Sequence, residues 1–526
     1  MTASDTELGA FSERGPWQID PAALRWRSGI DELRARAQAE VPERVRRRRI
    51  PPLGRFIEAA VLVGGAVALW GVRERRRGGP ASRGALSRRL RRAFERLGPA
   101  YIKLGQIISS GQGFFPEELV QEFKLCRDSV PAEPFATVRT VVEEELGAPL
   151  DVVFASFDEQ PLAAASIAQV HAATLRDGTP VVVKVQRPSV ARLVRRDIEA
   201  MAWIAPLLVG RIPVAALANP PALVELFAET ILEEMDFRLE AENMLDVARV
   251  LREAGQRMIV VPRPHPELVT RRVLVMERLD GFKYEDVDGM QAAGIDTAEL
   301  VRSLAIVLIE GVMLYGIFHG DLHGGNLFVM PDGRIALLDY GITGRMSERQ
   351  RLAFLRMMMT AVVNDVRGQL VAFQELGALP EDADLDVLME VLKIDQPVAD
   401  PTKMSGQQLM QEIQAALKVL LRQGAKLPKP LMLYVKNLIF LDGATTRLAP
   451  DVNLFEQFAR IYGYFVEHHA ERIAREIGFD PSRNTLDVEG IQRAMGLESH
   501  VSSLTQRELQ QRRQIIQQRL EEAGRR

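Results

Sequence analysis

The segment from His319 to Asn326 reads His-Gly-Asp-Leu-His-Gly-Gly-Asn and brings a carboxylate and an amide into one short, glycine-rich stretch. Asp321 precedes Asn326 by five positions, and Asp339 follows in an Asp-Tyr-Gly triplet. Carboxylate and amide oxygens are suitable ligands for divalent metal ions, and a carboxylate can also accept the proton of an attacking hydroxyl group. These three side chains therefore suit phosphoryl transfer assisted by magnesium.

Protein kinases place such groups in the same order: a catalytic aspartate, an asparagine five residues later, and a hairpin ending in an Asp-aromatic-Gly triplet. There the first aspartate faces the nucleophile, while the asparagine and the second aspartate bind magnesium. We therefore predict that Asp321 is catalytic and that Asn326 and Asp339 bind Mg²⁺. An Asp and an Asn at this spacing are common, so the prediction depends on the whole arrangement.

Two histidines, His319 and His323, lie four residues apart in the same segment, and on a helix this spacing would suggest a zinc site. Gly320, Gly324 and Gly325 disfavour a helix there, and no His-Glu-x-x-His motif is formed. Hydrogen bonds that order the loop are the better interpretation, with a metal role as the alternative.

Lys184 lies in the apolar run Val-Val-Val-Lys-Val, which predicts a buried strand. A lysine in such a place needs an anion beside it. In kinases this lysine holds the α- and β-phosphates of ATP and pairs with a glutamate on a helix. Acidic candidates occur in residues 233–240. If that segment is one helix, a single face carries Glu233, Asp236, Phe237 and Glu240.

A kinase would be expected to carry a Gly-x-Gly-x-x-Gly loop before this lysine, and this sequence has none there. Ala163, Ala164, Ala165 and Ser166 occupy the place where the phosphate-covering loop is expected. Alanine does not readily adopt the positive φ angles that let glycine amides wrap around phosphates. Nucleotide binding should therefore differ from that of ordinary protein kinases.

Hydrophobic periodicity predicts an α+β fold in which helix is the majority. Helical patterns cover 86–126, 189–256, the buried run 297–315, and the chain beyond 346. Strand-like runs occur at 152–154, 161–175, 181–185, 273–277, 327–330 and 335–338. The turns Arg-Asp-Gly-Thr and Pro-Asp-Gly predict two hairpins, one before Lys184 and one before Asp339.

Charge is unevenly distributed along the 526 residues, whose net charge is −3. The first 100 residues contain 21 Arg and no Lys against 11 acidic residues, so that segment carries a net charge of +10. A basic segment on an acidic body suits an anionic surface, either membrane lipid or nucleic acid. The alternative is a solvated, partly disordered arm. The single cysteine, Cys126, excludes an internal disulfide and fits a reducing compartment.

An apolar segment, residues 56–72, interrupts the arginine-rich region. Its uncharged core, Ala59 to Val72, spans roughly 21 Å as a helix, which is less than the roughly 30 Å of bilayer hydrocarbon. Arginines occur on both sides, which argues against crossing. We predict a helix that lies in the membrane interface, with a buried hairpin helix as the alternative.

Taken together, these features resemble the UbiB/ADCK family of atypical protein-kinase-like proteins over residues 86–445. The resemblance is carried by the Lys-Leu-Gly-Gln motif beginning at Lys103, the alanine loop, Lys184, the Glu-Met-Asp triplet beginning at Glu234, and the segments described above. It implies a bilobal kinase-like fold with an N-terminal helical extension folded over the active site. Two departures are Gly324, where the family usually has Pro, and Tyr340, where it usually has Phe.

The resemblance also implies roles for individual residues. Glu240 would be the ion-pair partner of Lys184. Lys103 and Gln106 would occupy the pocket where a kinase binds its protein substrate, with Lys103 near Glu234. The regulatory residues would then be Lys103, Gln106, Glu234 and Asp236. The alanine loop and Lys184 would bind ATP, and Gly324 could loosen the catalytic loop.

The function implied is an Mg²⁺- and ATP-dependent ATPase that supports isoprenoid quinone biosynthesis or lipid handling at the membrane. A protein or small-molecule kinase and a non-catalytic nucleotide-binding scaffold are the alternatives. The expected partners are anionic lipid, quinone precursors and quinone-biosynthesis proteins, with nucleic acid less favoured and a homodimer left open. The expected location is cytoplasmic, at the inner face of the membrane.

The predicted division of the chain has five parts. They are an arginine-rich extension (1–85), a helical extension with the Lys-Leu-Gly-Gln motif (86–150), an N-terminal lobe with inserted helices (151–282), a helical C-terminal lobe (283–475) and a helical tail (476–526).

Overall fold

A computed structural model gives the fold of the chain. It describes residues 11–12, 15–46, 54–77, 79–109, 116–126, 132–188, 190–208, 220–391, 400–405, 407–409, 411–412, 419–420, 423–425, 428–497 and 501–525. Two compact units divide the chain. The first comprises Met1–Glu253, Val260–Gly281 and Ala336–Ile342, and the second comprises Ala254–Ile259, Phe282–Ile335 and Thr343–Arg526.

The first unit is rich in helices before and within its sheet. Its helices are α1 (Ile30–Val45), α2 (Arg55–Arg73), α3 (Gly79–Leu97), α4 (Pro99–Ser109), α5 (Glu117–Phe123), α6 (Phe135–Leu146), α7 (Leu150–Val153), α8 (Val190–Leu208), α9 (Pro220–Glu233) and α10 (Phe237–Glu253). Helices α2 to α5 pack in succession, and α8 contacts both α2 and α4. The N-terminal helices therefore belong to the same compact unit as the sheet.

A six-stranded sheet forms the rest of the first unit. Its strands are β1 (Phe154–Phe157), β2 (Ala163–Ala164), β3 (Ala168–Leu175), β4 (Pro180–Gln186), β6 (Pro264–Val269) and β7 (Val273–Glu277), and a short β5 (Ile259–Val260) precedes β6. The order is β1-β3-β4-β7-β6, with β2 added beside β3. Antiparallel pairing of β3 with β4 confirms the predicted hairpin. Alternate valines of β4 enter the core with α6, which leaves Lys184 on the opposite face.

The second unit contains the remaining helices and short strands. Its helices are α11 (Val287–Ala292), α12 (Thr297–Glu310), α13 (Glu348–Val362), α14 (Val366–Glu375), α15 (Leu385–Val391), α16 (Lys429–Leu448), α17 (Leu454–Ile477), α18 (Val488–Ala494) and α19 (Gln506–Arg525). Its strands are β8 (Phe282–Lys283), β9 (Ile317–His319), β10 (Leu327–Val329) and β12 (Thr343–Arg345), and β11 (Ile335–Leu337) begins in it. Strand β10 pairs with β8, and β12 pairs with β9.

These elements confirm the α+β class with a helical majority, and several details differ from the sequence-based expectation. Val152 and Val153 belong to the short helix α7, so the strand begins only at Phe154. The predicted buried helix 297–315 ends in a π-helical turn, Gly311–Tyr315. A Cβ at Gly311 would lie 2.8 Å from the carbonyl oxygen of Ile317, so only glycine fits this turn unchanged.

Helix α2 is longer than the predicted apolar core. Its 19 residues span roughly 28 Å, so it is long and apolar enough to cross a bilayer by length and composition. One face is buried through Ala59, Val63, Ala66 and Trp70. The other face exposes apolar side chains, which are Ile57, Val61, Leu69 and Val72. The helix is therefore part of a hairpin with α3, and its outer face leaves these apolar side chains exposed.

Candidate active site

Lys184 lies between two carboxylates in the first unit. Its Nζ donates to Glu240 Oε1 at 2.6 Å and lies 3.2 Å from Asp339 Oδ1. The ring of Phe237 lies beneath the ammonium group, with Nζ 5.5 Å from its centroid. Lys184 comes from strand β4, Glu240 from helix α10 and Asp339 from the segment after β11. Glu240 follows Lys184 by 56 positions in the sequence, and Asp339 follows Glu240 by 99.

Burial sets the charge state of this cluster. Burial raises the pKa of Glu240 to about 7, and the Asp339 carboxylate adds to this effect while Lys184 opposes it. Burial lowers the pKa of Lys184, but Asp339 and Glu240 outweigh burial and raise it overall. Lys184 therefore keeps its positive charge and can bind phosphate oxygens, provided that Glu240 is ionised to hold it in place.

Asp339 has a backbone conformation that is rare for a residue with a side chain. Its φ is 58°, in the left-handed region, and its own Oδ1 accepts a hydrogen bond from the amide of Gly341 at 3.1 Å. Strain of this kind often accompanies functional sites. The carbonyl oxygen of Tyr340 accepts from Asn243 Nδ2 at 2.8 Å, so α10 fixes the Asp-Tyr-Gly triplet as well as Lys184. Tyr340 itself is fully buried.

Helix α4 places the Lys-Leu-Gly-Gln motif beside this cluster. Lys103 Nζ lies 3.2 Å from Glu234 Oε1, and both side chains are largely buried. Glu234 packs against Gly341, because a Cβ built at Gly341 would lie 3.4 Å from Glu234 Cγ. Gln106 follows one turn after Lys103 in the same helix. Lys103 therefore stands, through Glu234, next to the triplet that contains Asp339.

The acidic segment 233–240 is not the single helix that was predicted. Helix α9 ends at Glu233 and α10 begins at Phe237, so Glu233 does not share a helical face with Glu240. The break is stabilised by Asp236, which accepts hydrogen bonds from the amide of Arg238 at 3.1 Å and from its Nη2 at 2.7 Å. Asp236 therefore orders the start of α10, and Glu240 is left to face Lys184.

The alanine loop is a tight connection within the sheet. Ala163 and Ala164 pair with Val170 and Gln169 of β3, and the amide of Ala165 donates to the carbonyl of Ala168 at 2.9 Å. Ser166 is buried. The carbonyl of Ala165 accepts from Arg187 Nε at 3.0 Å, and Arg187 pairs with Glu133 at 2.8 Å. Arg187, paired with Glu133, therefore holds the alanine loop in place. Ordinary kinases have a glycine-rich loop at this position.

The catalytic loop lies in the second unit and is ordered by its own polar groups. His319 Nδ1 accepts from the amide of Asp321 at 3.2 Å, and His323 Nδ1 accepts from the amide of Gly325 at 3.1 Å. Asn326 Nδ2 donates to the carbonyl of Asp321 at 3.1 Å. These contacts match the loop-ordering interpretation of the histidines. Among the described residues, no group of three or more His, Cys, Asp or Glu could hold a metal ion.

Two neighbours of this loop were missed in the sequence, Lys436 and Asn437 of α16. Lys436 Nζ forms an ion pair with Asp321 Oδ1. The fully buried Asn437 accepts from the amide of Leu322 at 3.1 Å and donates to the carbonyl of His319 at 2.5 Å. The available signal was a polar Lys-Asn pair inside an apolar helical run. This pattern does not indicate that the pair contacts the catalytic loop, which lies more than 110 positions earlier in the sequence.

The packing around position 324 explains why this residue is glycine. A Cβ at this position would lie 2.6 Å from Tyr284 Cδ1 and 3.0 Å from Glu285 Oε1. Tyr284 is itself held between Phe440, with ring centroids 5.5 Å apart, and Arg447. The glycine therefore makes room for Tyr284, and the packed ring restrains the loop that glycine alone would loosen.

The side chains fit a magnesium–nucleotide ligand in their chemistry. The amide of Asn326 is oriented by its bond to Asp321, which leaves its oxygen for a metal ion. The side chain of Asp339 is about half exposed, at 47%, and Lys184 beside it is a cation for phosphates. Magnesium commonly takes one or two protein oxygens and completes its shell with phosphate and water. Asp339 in the first unit and Asn326 in the second each offer an oxygen of this kind.

Comparison with known proteins places these residues within a family. Residues 125–371 match the ABC1 atypical kinase-like domain family. An uncharacterized protein of Mycobacterium tuberculosis is 35% identical over 392 residues, covering 74% of this chain and 79% of that protein. An uncharacterized aarF domain-containing protein kinase of Arabidopsis thaliana, described as chloroplastic, is 32% identical, covering 70% and 73%. A probable protein kinase UbiB of Aeromonas salmonicida is 31% identical, covering 71% and 69%.

Proposed function

Since this chain belongs to the ABC1 (UbiB-like) family of atypical kinases, we propose that it is an Mg²⁺-dependent ATPase acting at a membrane. The observation that carries the proposal is the position of Lys184, which is 2.6 Å from Glu240 and 3.2 Å from Asp339. A buried lysine held by one carboxylate, next to a second that is half exposed, suits a site for phosphates and metal.

The residues proposed for the nucleotide and the metal ion then have defined tasks. Lys184 binds the α- and β-phosphate oxygens, and Glu240 holds the lysine in place. Asp339 in the first unit and Asn326 in the second are each proposed as an oxygen ligand for Mg²⁺, which when bound would neutralise phosphate charge. The amides of the loop from Ala163 to Ser166 cover the phosphates less closely than those of a glycine-rich loop, because alanine restricts the backbone.

In the second unit, Asp321 accepts the proton of the attacking water. Its ion pair with Lys436 fixes the carboxylate orientation, and Asn437 fixes the loop on either side of it. A positioned carboxylate of this kind contributes to the rate because the water need not be oriented by chance.

Water is favoured over a protein substrate as the acceptor by the position of α4. Lys103 pairs with Glu234, which packs against the Asp-Tyr-Gly triplet, so α4 occupies space beside the metal ligand. In an ordinary kinase no helix of this kind is needed. Gln106, one turn after Lys103 in α4, is proposed to act in the same arrangement, and Asp236 orders the start of α10.

The membrane part of the proposal rests on α2 and on the family. Its outer face exposes Val61 by 65% and Val72 by 82%, and the exposed Arg73, Arg75 and Arg76 follow at its C-terminal end. An apolar face beside guanidinium groups suits the interface of a membrane with anionic lipid. Through the family we propose a role in isoprenoid quinone biosynthesis, with quinone precursors as the lipid concerned.

The experiment is ATP turnover by the purified full-length protein with Mg²⁺, with and without phosphatidylglycerol liposomes. We expect phosphate release that rises with liposomes and leaves no phosphate on added protein. Asp339→Asn should lower turnover on the order of 100-fold, as for loss of one key electrostatic group. Asp332→Asn, in an exposed turn of the same hairpin, is the matched control and should keep wild-type turnover.

The outcomes separate the alternatives. Phosphate transferred to a protein or small molecule in place of water would make the chain a kinase. Nucleotide binding without any turnover would make it a scaffold and would refute the ATPase proposal.

A further inference from the structure

An arginine lies on the buried face of the N-terminal helix α1. Ile30 and Val41 are buried apolar residues of this helix, and Arg34 lies four positions after the first and seven before the second. At 3.6 residues per turn, these spacings place all three side chains on one face. Helix α1 packs against α8, α9 and α10 of the first unit. Arg34 therefore faces other helices of its unit, which is an uncommon position for a charged side chain.

Arg34 contacts Asn243 of α10. Both terminal nitrogens of its guanidinium group donate to Asn243 Oδ1, each at 3.2 Å. Asn243 is only 3% exposed, so these bonds lie within the fold. Because a guanidinium group has donors and no acceptor, the amide oxygen of Asn243 must face Arg34 and its Nδ2 must point away. Arg34 therefore sets the orientation of the Asn243 amide.

The Asn243 amide in turn holds one peptide unit of the Asp-Tyr-Gly triplet. Its Nδ2 donates to the carbonyl oxygen of Tyr340 at 2.8 Å. The amide of Gly341, which belongs to the same peptide unit, donates to Asp339 Oδ1 at 3.1 Å. Since a peptide unit is planar, a bond at its oxygen also fixes the direction of its N–H group. Asn243 therefore helps to determine where the carboxylate of Asp339 is held.

Asp339 needs this support because its backbone is strained. Its φ of 58° is uncommon for a residue with a side chain, and such conformations persist only where the surrounding structure holds them. The bonds described above form one hydrogen-bond chain that runs from the Arg34 cation to the Asp339 carboxylate. In such a chain each bond polarises the next. The orientation of Asp339 thus depends on a residue of α1.

Helix α1 is attached to the first unit by other ion pairs as well. Arg27, just before the helix, donates twice to Glu242 of α10, each time at 2.8 Å. Towards the other end of the helix, Glu40 pairs with Arg195 of α8 at 2.7 Å. Helix α1 should therefore stay attached when Arg34 is replaced, so that replacement tests the hydrogen-bond chain and not the attachment of the helix.

We propose that Arg34 is a positioning residue for the metal site. Through Asn243 and the peptide unit between Tyr340 and Gly341, it keeps Asp339 in the orientation that binds Mg²⁺, and the inference rests on the proposed function in this respect. Helix α1 thus takes part in the metal site, although the basic N-terminal segment was expected to face an anionic surface.

The test measures the Mg²⁺ concentration that gives half-maximal ATP turnover by the full-length protein at saturating ATP. We expect Arg34→Ala to raise this concentration roughly tenfold, as for the loss of one hydrogen bond to a charged group. Arg36→Ala removes an exposed arginine of the same helix and is the matched control. It should require the same Mg²⁺ concentration as wild type.

A double-mutant cycle shows whether Arg34 acts through Asn243. Asn243→Ala should raise the Mg²⁺ requirement at least as much as Arg34→Ala does. The double variant should then require no more Mg²⁺ than Asn243→Ala alone. Asn243→Asp keeps an acceptor for Arg34 but has no donor for the carbonyl of Tyr340. It should therefore show the same loss, and it serves as the test if Asn243→Ala does not fold.

Hydrogen exchange gives a readout that does not depend on ATP turnover. In the nucleotide-free protein, the amide of Gly341 should exchange roughly tenfold faster in Arg34→Ala than in wild type or Arg36→Ala, because its acceptor is held less firmly. This difference in a wild type without turnover would support the hydrogen-bond chain and refute the ATPase proposal alone. Exchange at the wild-type rate in Arg34→Ala, or fully additive effects in the double variant, would overturn the inference.

Discussion

At the scale of single residues, the buried charges determine what the site can bind. The Lys184 side chain is largely buried and would be unfavourable there as a lone cation. Glu240 neutralises it within the fold, and Asp339 stays half exposed. When Glu240 is ionised, which its raised pKa places above about pH 7, the cluster carries one net negative charge, which a bound magnesium ion would offset.

The raised pKa of Glu240 predicts a pH-dependent stability. In the folded protein Glu240 holds its proton up to about pH 7, whereas the ordinary value is 4.5. Between these values the folded state binds more protons than the unfolded state. The free energy of unfolding of the ligand-free protein should therefore fall as pH rises through this window, by up to about 3 kcal/mol. Urea unfolding at pH 4.5, 6 and 7.5 measures it.

Glu240→Gln removes this titration, so its free energy of unfolding should vary less over the same window. Glu253→Gln, at the exposed end of the same helix, is the matched control and should retain the wild-type slope. Equal slopes for wild type and Glu240→Gln would contradict the assignment.

Asn437 should contribute strongly to stability although it binds no ligand. Asn437→Ala leaves the buried amide of Leu322 and the carbonyl of His319 without their partner. We expect a loss of about 2–4 kcal/mol in the free energy of unfolding. Asn484→Ala, which removes one bond to the carbonyl of Asp480, should lose about 1 kcal/mol or less. Similar losses for the two variants would show that the two hydrogen bonds of Asn437 contribute no more than one ordinary bond.

At the scale of elements, α4 carries different chemistry on different faces. Tyr101, Leu104 and Ile108 line an apolar cavity of about 100 Å³ among the helices of the first unit, and Lys103 reaches Glu234. Gly105 lies between them and lets the helix approach α5 closely. The glycine of the Lys-Leu-Gly-Gln motif is therefore required for the packing of α4 against α5. This packing fixes α4 in the position from which Lys103 reaches Glu234.

Gly105→Ala should destabilise the first unit. Its Cβ would lie 2.6 Å from Phe123 Cδ1 and 3.2 Å from Cys126 Sγ, so the helices must separate. Overpacking of this kind costs about 1–3 kcal/mol. Gly64→Ala in α2 meets nothing within 4 Å and should instead gain up to about 1 kcal/mol from helix propensity. Thermal unfolding of the two variants would show opposite shifts, and a shared direction would refute the packing argument.

At the scale of the whole molecule, part of the basic N-terminal charge is used in ion pairs within the fold. Arg83 pairs with Glu118, and Arg89 pairs with Glu74. Other arginines of this region pair in the same way, namely Arg27, Arg44, Arg55, Arg88 and Arg91. The alternative of a solvated arm is therefore wrong for these residues, because carboxylates of neighbouring helices pair with them.

Membrane binding should depend on the outer face of α2. Val61→Glu combined with Val72→Glu places charges on that face, and we expect roughly 100-fold weaker binding to phosphatidylglycerol liposomes in flotation. Val152→Glu combined with Leu162→Glu changes equally exposed apolar residues of the same unit and should float like wild type. Unchanged flotation of the α2 variant would show that another surface contacts lipid.

Several features follow from the sequence by itself because they depend on local spacing. The strand containing Lys184 follows from a run of β-branched residues, and its hairpin follows from a turn containing Asp-Gly. The order of Asp321, Asn326 and Asp339 is likewise visible without coordinates. Such patterns extend over a few residues, so the chain specifies them before it folds.

Only the tertiary structure decided which distant residues meet. Residues 233–240 looked like one helix, and the break at Asp236, made by bonds to Arg238, left Glu240 as the partner of Lys184. Lys436 and Asn437 reach the catalytic loop from α16, and residues 336–342 join the first unit although they were assigned to the C-terminal lobe. The cavity arises from six helices at once. Long-range contacts of this kind depend on packing between elements, which the spacing of residues within one element does not encode.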